Sequence, residues 1–268
     1  MSATRHPAVA GKFYPERGSD LSFAVNSFLV SLPRLRAIAC IAPHAGYMYS
    51  GHVAGAVFST IETPSQVIVL CPNHTGLGQP LSIMSTGEWM TPLGQVPVAA
   101  ELALQMKQHF PPLTEDMEAH RAEHAIEVEL PFLQVLRPNV SIVPIALGTR
   151  NYEVLHALGI AIAEVIVQQR EPVLIIASSD MNHYESEEIT RVKDAKAIDR
   201  ILALDPEGLF RVVIKEGISM CGLGPAVSAL SAALKLGASK AELIRYATSA
   251  DVSRDRDFVV GYAGITIS

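Results

Sequence analysis

The sequence predicts an α/β fold, a single domain with a mostly parallel central sheet flanked by helices. Three observations predict it. Short β-branched runs alternate with longer helical patterns along the 268 residues, the order expected of parallel strands joined by right-handed crossovers. The runs near positions 40, 70, 145 and 175 are apolar throughout, as expected where helices cover both faces of a sheet. No linker-like tract, solenoid repeat or low-complexity segment interrupts them, so residues 1–268 read as one domain.

The first predicted strand, Ala37–Ala42, empties directly into Pro43-His44 and a glycine-spaced loop. A helix is expected over His52–Ile61, then a strand over Val67–Cys71 that runs out towards His74. A third strand, Leu81–Ser85, precedes GEWMTPLGQV, whose Gly and Pro punctuation reads as a hairpin excursion beside it. Helices follow at Val98–His109 and Glu123–Leu136, a strand at Val140–Leu147, and a helix at Glu153–Gln169. The strand Val173–Ala177 leads to Asp180 and His183. Beyond it come helices Glu187–Leu204, Pro206–Lys215 and Gly224–Leu236, then strands Glu242–Ala247 and Phe258–Ile267.

Composition narrows the function. With 49% hydrophobic residues, 18% charged residues and a net charge of −6, the chain has a globular composition and no basic run to bind nucleic acid. The longest apolar stretch, Ala157–Val167, is too short to span a bilayer and contains Glu164. The opening MSATRHPAVAGKFYPERG lacks an apolar signal core. Three cysteines at no metal-finger spacing fit a reducing compartment. A soluble cytoplasmic protein is expected.

In open α/β sheets, ligands sit beyond the carboxyl ends of the strands. His44, His74 and the Asp180/His183 pair each follow a different predicted strand, so parallel strands would bring all three loops to one edge. Neutral imidazole suits zinc, iron and copper, and two histidines with one anionic ligand leave coordination positions open. Asp180 and Cys221 are both candidates for that ligand. Asp180 could bind directly, orient a histidine, or cap the following helix. Cys221 precedes a helix expected to begin near Gly224, whose dipole would favour a thiolate there; alternatively it is a small buried residue at a tight helix start. His183 is either a further ligand or, the preferred reading, an acid/base group that titrates near neutral pH.

Other residues have weaker signals. Glu123 and His124 open the helix RAEHAIEVELPFLQVL and are placed at the pocket rim, with an ordinary amphipathic helix as the alternative. The pattern is not HExxH. Phe13 and Tyr14 in AVAGKFYP form either one pocket wall or part of the core. Cys40 and Cys71 lie inside strands and read as buried; His6, His52, His109, His120 and His156 read as surface or packing residues. Asp251, Arg254, Asp255, Arg256 and Asp257 read as a solvated, self-paired loop.

PAVAGKFYP, APHAGYMYSG, CPNHTG, EHAIEVELPFLQ, SSDMNHY, MCGLGPA and the closing ATSADVS and VVGYAG stand in the order seen in the Memo-like family. The chain resembles that family over nearly its whole length, including protein B of the prokaryotic AmmeMemoRadiSam set. Genes of that set neighbour radical-SAM and AMMECR-like proteins, which the resemblance makes candidate partners. It further implies a fold akin to the class III extradiol dioxygenases. His44 and His74 match the family's metal-binding histidines, Cys221 its ligating cysteine, and Asp180 and His183 its pocket pair. Extradiol dioxygenases complete their iron site with a carboxylate; a thiol here shifts preference towards copper, zinc or a differently poised iron.

Two functional classes are expected. The first is a redox or oxygenase-like enzyme using Fe(II), with copper or zinc as alternatives, on an unidentified small molecule. The second is a non-catalytic metal-binding or adaptor protein that holds a peptide or partner in the pocket. A third, weaker class is a hydrolase or transferase with Cys221 as nucleophile.

Overall fold

The structure is a computed structural model that describes residues 3–268. In chain order its elements are β1 (Thr4–Arg5), α1 (Gly18–Phe28), β2 (Ala39–Ala42), α2 (Tyr47–Ser59), β3 (Gln66–Pro72), β4 (Leu81–Ile83), β5 (Glu88–Thr91) and β6 (Gly94–Pro97). There follow α3 (Ala100–His109), β7 (Thr114–Glu115), α4 (Glu118–Arg121), α5 (Ala125–Leu136), β8 (Ser141–Leu147), α6 (Tyr152–Val167), β9 (Val173–Ser178) and β10 (His183–Glu185). The last are α7 (Glu187–Leu202), α8 (Pro206–Lys215), α9 (Leu223–Lys235), β11 (Ala241–Thr248), α10 (Ala250–Ser253) and β12 (Val259–Ile267).

The continuous apolar runs form the middle of the large sheet. β2, β9, β3 and β8 lie side by side in that order, all parallel. Antiparallel strands flank them: β12 pairs with β2, and β4 with β8. β11 and β10 extend the first side through β12, and β7 extends the other through β4. Helix α9 packs on β2, β9 and β3, with α6 against it; α2 and α5 pack with α1 and touch β2, β12 and β3. This double cover explains why the central strands carry apolar residues at every position rather than alternating ones. Cys40 and Cys71 are fully buried in β2 and β3.

Close helix approaches depend on missing side chains. A Cβ on Gly55 of α2 would sit 2.4 Å from the Phe28 carbonyl oxygen at the end of α1. A Cβ on Gly159 of α6 would sit 2.4 Å from the Ser228 carbonyl oxygen of α9. Helix starts follow ordinary capping rules at α6, α7 and α8, where Asn151, Ser186 and Asp205 accept from Val154, Ile189 and Gly208 N–H. Ser186, not Asp180, therefore caps the helix after β9.

Several elements differ from expectation. Helix α2 begins at Tyr47 rather than His52, because Tyr47 N–H finds the Phe13 carbonyl oxygen at 2.7 Å and needs no local capping side chain. Helix α1 has no counterpart among the expected elements: only Leu21 and Val25 are buried, a narrow stripe that the exposed Phe23 obscures. The β5–β6 hairpin pairs with β1, not with β4, and forms a separate three-stranded sheet. The loop after β11 is not self-paired. Arg256 reaches Glu187 of α7 at 3.3 Å, and α10 occupies the start of the segment. Among the described residues no helix is long and apolar enough to cross a membrane.

Candidate metal centre

The register of the parallel strands aligns three loops. Ala42 of β2 pairs with Ser178 of β9, and Leu70 of β3 with Ala177. His44, His74 and Asp180 each stand two residues beyond the last residue of β2, β3 and β9. Parallel neighbours ending together carry these side chains to one edge, as the strand-end rule requires. Cys221 arrives from the opposite chain direction, just before α9. Glycine at 222 permits this approach, since a Cβ there would lie 2.3 Å from Ser179 Cβ and 2.4 Å from the Ser178 carbonyl oxygen. The Gly222 N–H instead donates to Ser179 Oγ at 3.1 Å.

One donor atom from each of His44, His74 and Cys221 lies within 4.8 Å of the others. The His44 and His74 ring centres are 5.1 Å apart, and Cys221 Sγ is 3.4 Å from His44 Nε2. Each imidazole has its other nitrogen engaged. His44 Nδ1 is 2.7 Å from Ser178 Oγ. The Ser178 hydroxyl donates to the Ala125 carbonyl oxygen at 3.1 Å, so its oxygen accepts the Nδ1 proton. His74 Nδ1 donates to Glu123 Oε1 at 2.9 Å, while Glu123 Oε2 accepts the His74 backbone N–H at 2.6 Å. Both Nε2 atoms are thereby left as lone-pair donors, the arrangement that orients metal-binding histidines. Two nitrogens and one sulfur fit a borderline divalent ion such as Fe(II), copper or zinc.

Charge in the site follows burial. Desolvation holds His44 well below the usual histidine range, with the neighbouring His124, His74 and His183 adding to the effect. Burial also pulls His74 down, but the hydrogen bond and charge of Glu123 outweigh it, and the net shift is upward. Glu123 shifts down despite its own desolvation, through the same bond to His74. The Cys221 thiol is pushed up, first by burial and then by the charge of Asp180; N–H groups of Asp180 and Gly222 offset this only in part. The expected helix-dipole thiolate is therefore overridden by desolvation, and a cation at the site would be needed to hold sulfur as thiolate.

The other predicted residues fall in different places. Asp180 lines the cavity, and its Oδ1 accepts the His44 backbone N–H at 2.9 Å, fixing the turn that presents His44. Burial raises its pKa to about 7, against the opposing pull of the His44 N–H and the charge of His74. His183 lines the cavity with Nδ1 2.9 Å from the Ser219 carbonyl oxygen, and burial lowers its pKa. His124 stacks on His74 at 4.7 Å between ring centres, and Phe13 meets His124 edge-on at 4.8 Å. Tyr14 forms part of the wall, but its hydroxyl turns away to donate to buried Glu127. Glu123 is not at the rim: it has no exposed surface and sits behind His74, because α5 starts at Ala125 and leaves Glu123 in the preceding turn.

The cavity has a volume of about 1220 Å³. Sequence reasoning missed several residues of the site and its cavity. Ser178 and Ser179 stand in plain view in SSDMNHY without a signal of their role, and Ser219, Met48, Tyr184 and Phe258 give no signal at all. Arg150 is equally easy to overlook, although it follows a fourth parallel strand, β8.

Comparison with known proteins agrees with this architecture. A sequence model described as Memo-like protein matches residues 5–266. The chain is 42% identical to MEMO1 family protein PAE0818 of Pyrobaculum aerophilum, over 97% of this chain and 98% of that protein. It is 39% identical to MEMO1 family protein MK0963 of Methanopyrus kandleri, over 97% of this chain and 98% of that protein. The crystal structure of an uncharacterized protein, JW3007 from Escherichia coli K12, superposes with a TM-score of 0.55 at 14% identity, covering 87% of this chain and all of that one. That likeness concerns the fold alone.

Proposed function

From the premise that this chain belongs to the Memo-like family, we propose that it is a metal-dependent redox enzyme acting on a small molecule, with Fe(II) held by His44, His74 and Cys221. The observation that carries the reading is the donor set itself: two imidazoles with engaged Nδ1 atoms and a thiol within 4.8 Å. Bound iron would supply open coordination positions and one-electron chemistry. The protein's own groups do the rest. Ser178 and Glu123 hold the two rings in the tautomer that frees Nε2. Asp180 fixes the His44 turn. His183, neutral near pH 7 with its Nδ1–H on the Ser219 carbonyl, offers Nε2 as a proton acceptor beside the substrate space. Apolar walls that include the half-buried Phe13 and Phe28 limit water around the reacting groups.

Metal analysis tests the reading. Protein loaded anaerobically with Fe(II) is expected to retain about one ion per chain, and His44→Ala, His74→Ala and Cys221→Ser are each expected to lose it. Metal content that stays the same in all three variants contradicts the assignment.

A second reading draws on the exposure of Met48, Tyr184 and Phe258 at the cavity mouth, at 63%, 73% and 69%. Such apolar exposure suits a metal-holding adaptor that docks a partner there. Under that reading His183→Ala leaves partner binding intact; under the enzyme reading the same change removes turnover while metal stays bound.

A further inference from the structure

The large sheet has four parallel strands, and the proposed metal site uses the ends of three. The fourth, β8, ends at Leu147 and leads through Gly148 and Thr149 to Arg150, an exposed residue on the lining of the same cavity. This segment lies against the site on both sides. Asn73 N–H donates to the Leu147 carbonyl oxygen at 3.1 Å, one residue before His74. A Cβ on Gly224, at the start of α9, would lie 3.7 Å from the Thr149 carbonyl oxygen.

We infer that the cavity takes a small organic anion, a carboxylic acid with an apolar body, and that Arg150 recognises its carboxylate. This rests on the reading of the cavity as a substrate site. Most polar groups of the site are already committed. His44 and His74 engage Ser178 and Glu123 through Nδ1, Asp180 holds the His44 turn, and His183 and Ser219 bond each other. Arg150 has no carboxylate partner among the described residues, and neither does Lys12 across the same lining. Asp255 is the one exposed carboxylate on that lining, so the free charges of the rim favour an anion although the whole chain carries −6. Phe13, Phe28, Met48, Tyr184 and Phe258 supply the apolar and aromatic surface. A planar guanidinium forms paired hydrogen bonds with a carboxylate. A planar carboxylate matches the paired donors of one guanidinium, whereas a phosphate, nearly doubly charged, is ordinarily held by a backbone nest as well as by cations, and Lys12 is the other cationic side chain on this lining.

The test is a binding titration by calorimetry with benzoate and phenylacetate as carboxylate probes, benzyl alcohol as the neutral counterpart and inorganic phosphate as the other oxyanion. Wild type, Arg150→Lys and Arg150→Met are titrated both metal-free and Fe(II)-loaded, with metal content measured on each sample. The expected result is that at least one carboxylate binds wild type, that Arg150→Met weakens it at least tenfold, and that Arg150→Lys weakens it less. Benzyl alcohol should be insensitive to both substitutions, and all three proteins should hold equal metal. Failure of both carboxylates to bind wild type, or an affinity within twofold in Arg150→Met, overturns the inference. Tighter binding of phosphate than of either carboxylate overturns the assignment of ligand class. The metal-free titration separates the two proposals: failure of the metal assignment would show in metal content, not in the Arg150 dependence.

Discussion

His74 is held twice by one carboxylate, through its backbone N–H and through Nδ1, and buried Glu123 also accepts the Ala125 N–H at 3.0 Å through Oε1. An amide there keeps the shape but removes the charge and sets its NH2 against one of the N–H groups that the two carboxylate oxygens accept, which weakens the hold on the imidazole. Glu123→Gln is therefore expected to lower Fe(II) affinity roughly 10–100-fold, read by competition with a chelator; an unchanged affinity would remove Glu123 from the site. A second carboxylate, Asp194, gives a pH signature away from the metal. It is fully buried, accepts from the Tyr246 hydroxyl at 2.7 Å and the Asn182 N–H at 2.8 Å, and burial raises its pKa from 3.8 to about 6. A raised pKa means that the folded state favours the protonated acid. Its contribution to stability is thus fully present below about pH 3.8 and is lost as pH rises through about 6. Asp194→Asn cannot ionise, so relative to wild type it should gain on the order of 1–3 kcal/mol between pH 4 and pH 7.5 in urea unfolding. A pH-independent difference would show that Asp194 titrates normally.

At the scale of elements, the site depends on how closely α9 begins against the end of β9. Gly222 permits that contact, and Gly55 permits a comparable one between α1 and α2, away from the donors. Each added methyl would meet a backbone carbonyl oxygen and a Cβ that no rotamer change can move, so it has to displace an element. Gly55→Ala and Gly222→Ala are each expected to cost about 1–3 kcal/mol in urea unfolding. Their effects on metal should diverge: Gly222→Ala moves Cys221 and weakens binding, while Gly55→Ala leaves affinity unchanged. Equal affinities in the two variants would detach Cys221 from the metal. The same elements show what is legible in sequence. The central strands are readable because burial on both faces demands unbroken apolar runs, and their ends then point to His44, His74 and Asp180. The start of α2 is not, because its first N–H is satisfied by Phe13, from a segment distant in sequence. Glu123 looks like a rim residue because helical patterning does not reveal where a helix begins or what packs over the preceding turn. Cys221 looks like a thiolate because the helix dipole is local and visible, whereas the burial that opposes it belongs to the folded chain.

For the whole molecule, the N-terminal segment is tied in by charge. Arg5, buried beneath the Trp89 ring at 4.5 Å, pairs with buried Glu127 of α5 and donates to the Glu123 and His120 carbonyl oxygens. Breaking a buried pair by removing one partner leaves an uncompensated charge. This pairing spans 122 positions and has no sequence signature. It also joins the N-terminal segment that carries Phe13 and Tyr14 to α5, the helix that follows Glu123, the His74 support. A ligand that binds only the folded state stabilises it by mass action, by about 2.7 kcal/mol at a hundred times Kd. Fe(II) should accordingly raise the unfolding temperature of wild type and leave that of Cys221→Ser where it was; an equal rise in both would place the ion elsewhere.

The central claim concerns which atoms share one ion, and X-ray absorption of the Fe(II)-loaded protein reads those atoms directly. A single sulfur neighbour at ~2.3 Å together with nitrogen or oxygen neighbours at ~2.0–2.2 Å is the result predicted for the wild type, with no iron–sulfur signal in Cys221→Ser. A spectrum with no sulfur neighbour in the wild type, or one that Cys221→Ser leaves unaltered, would contradict it.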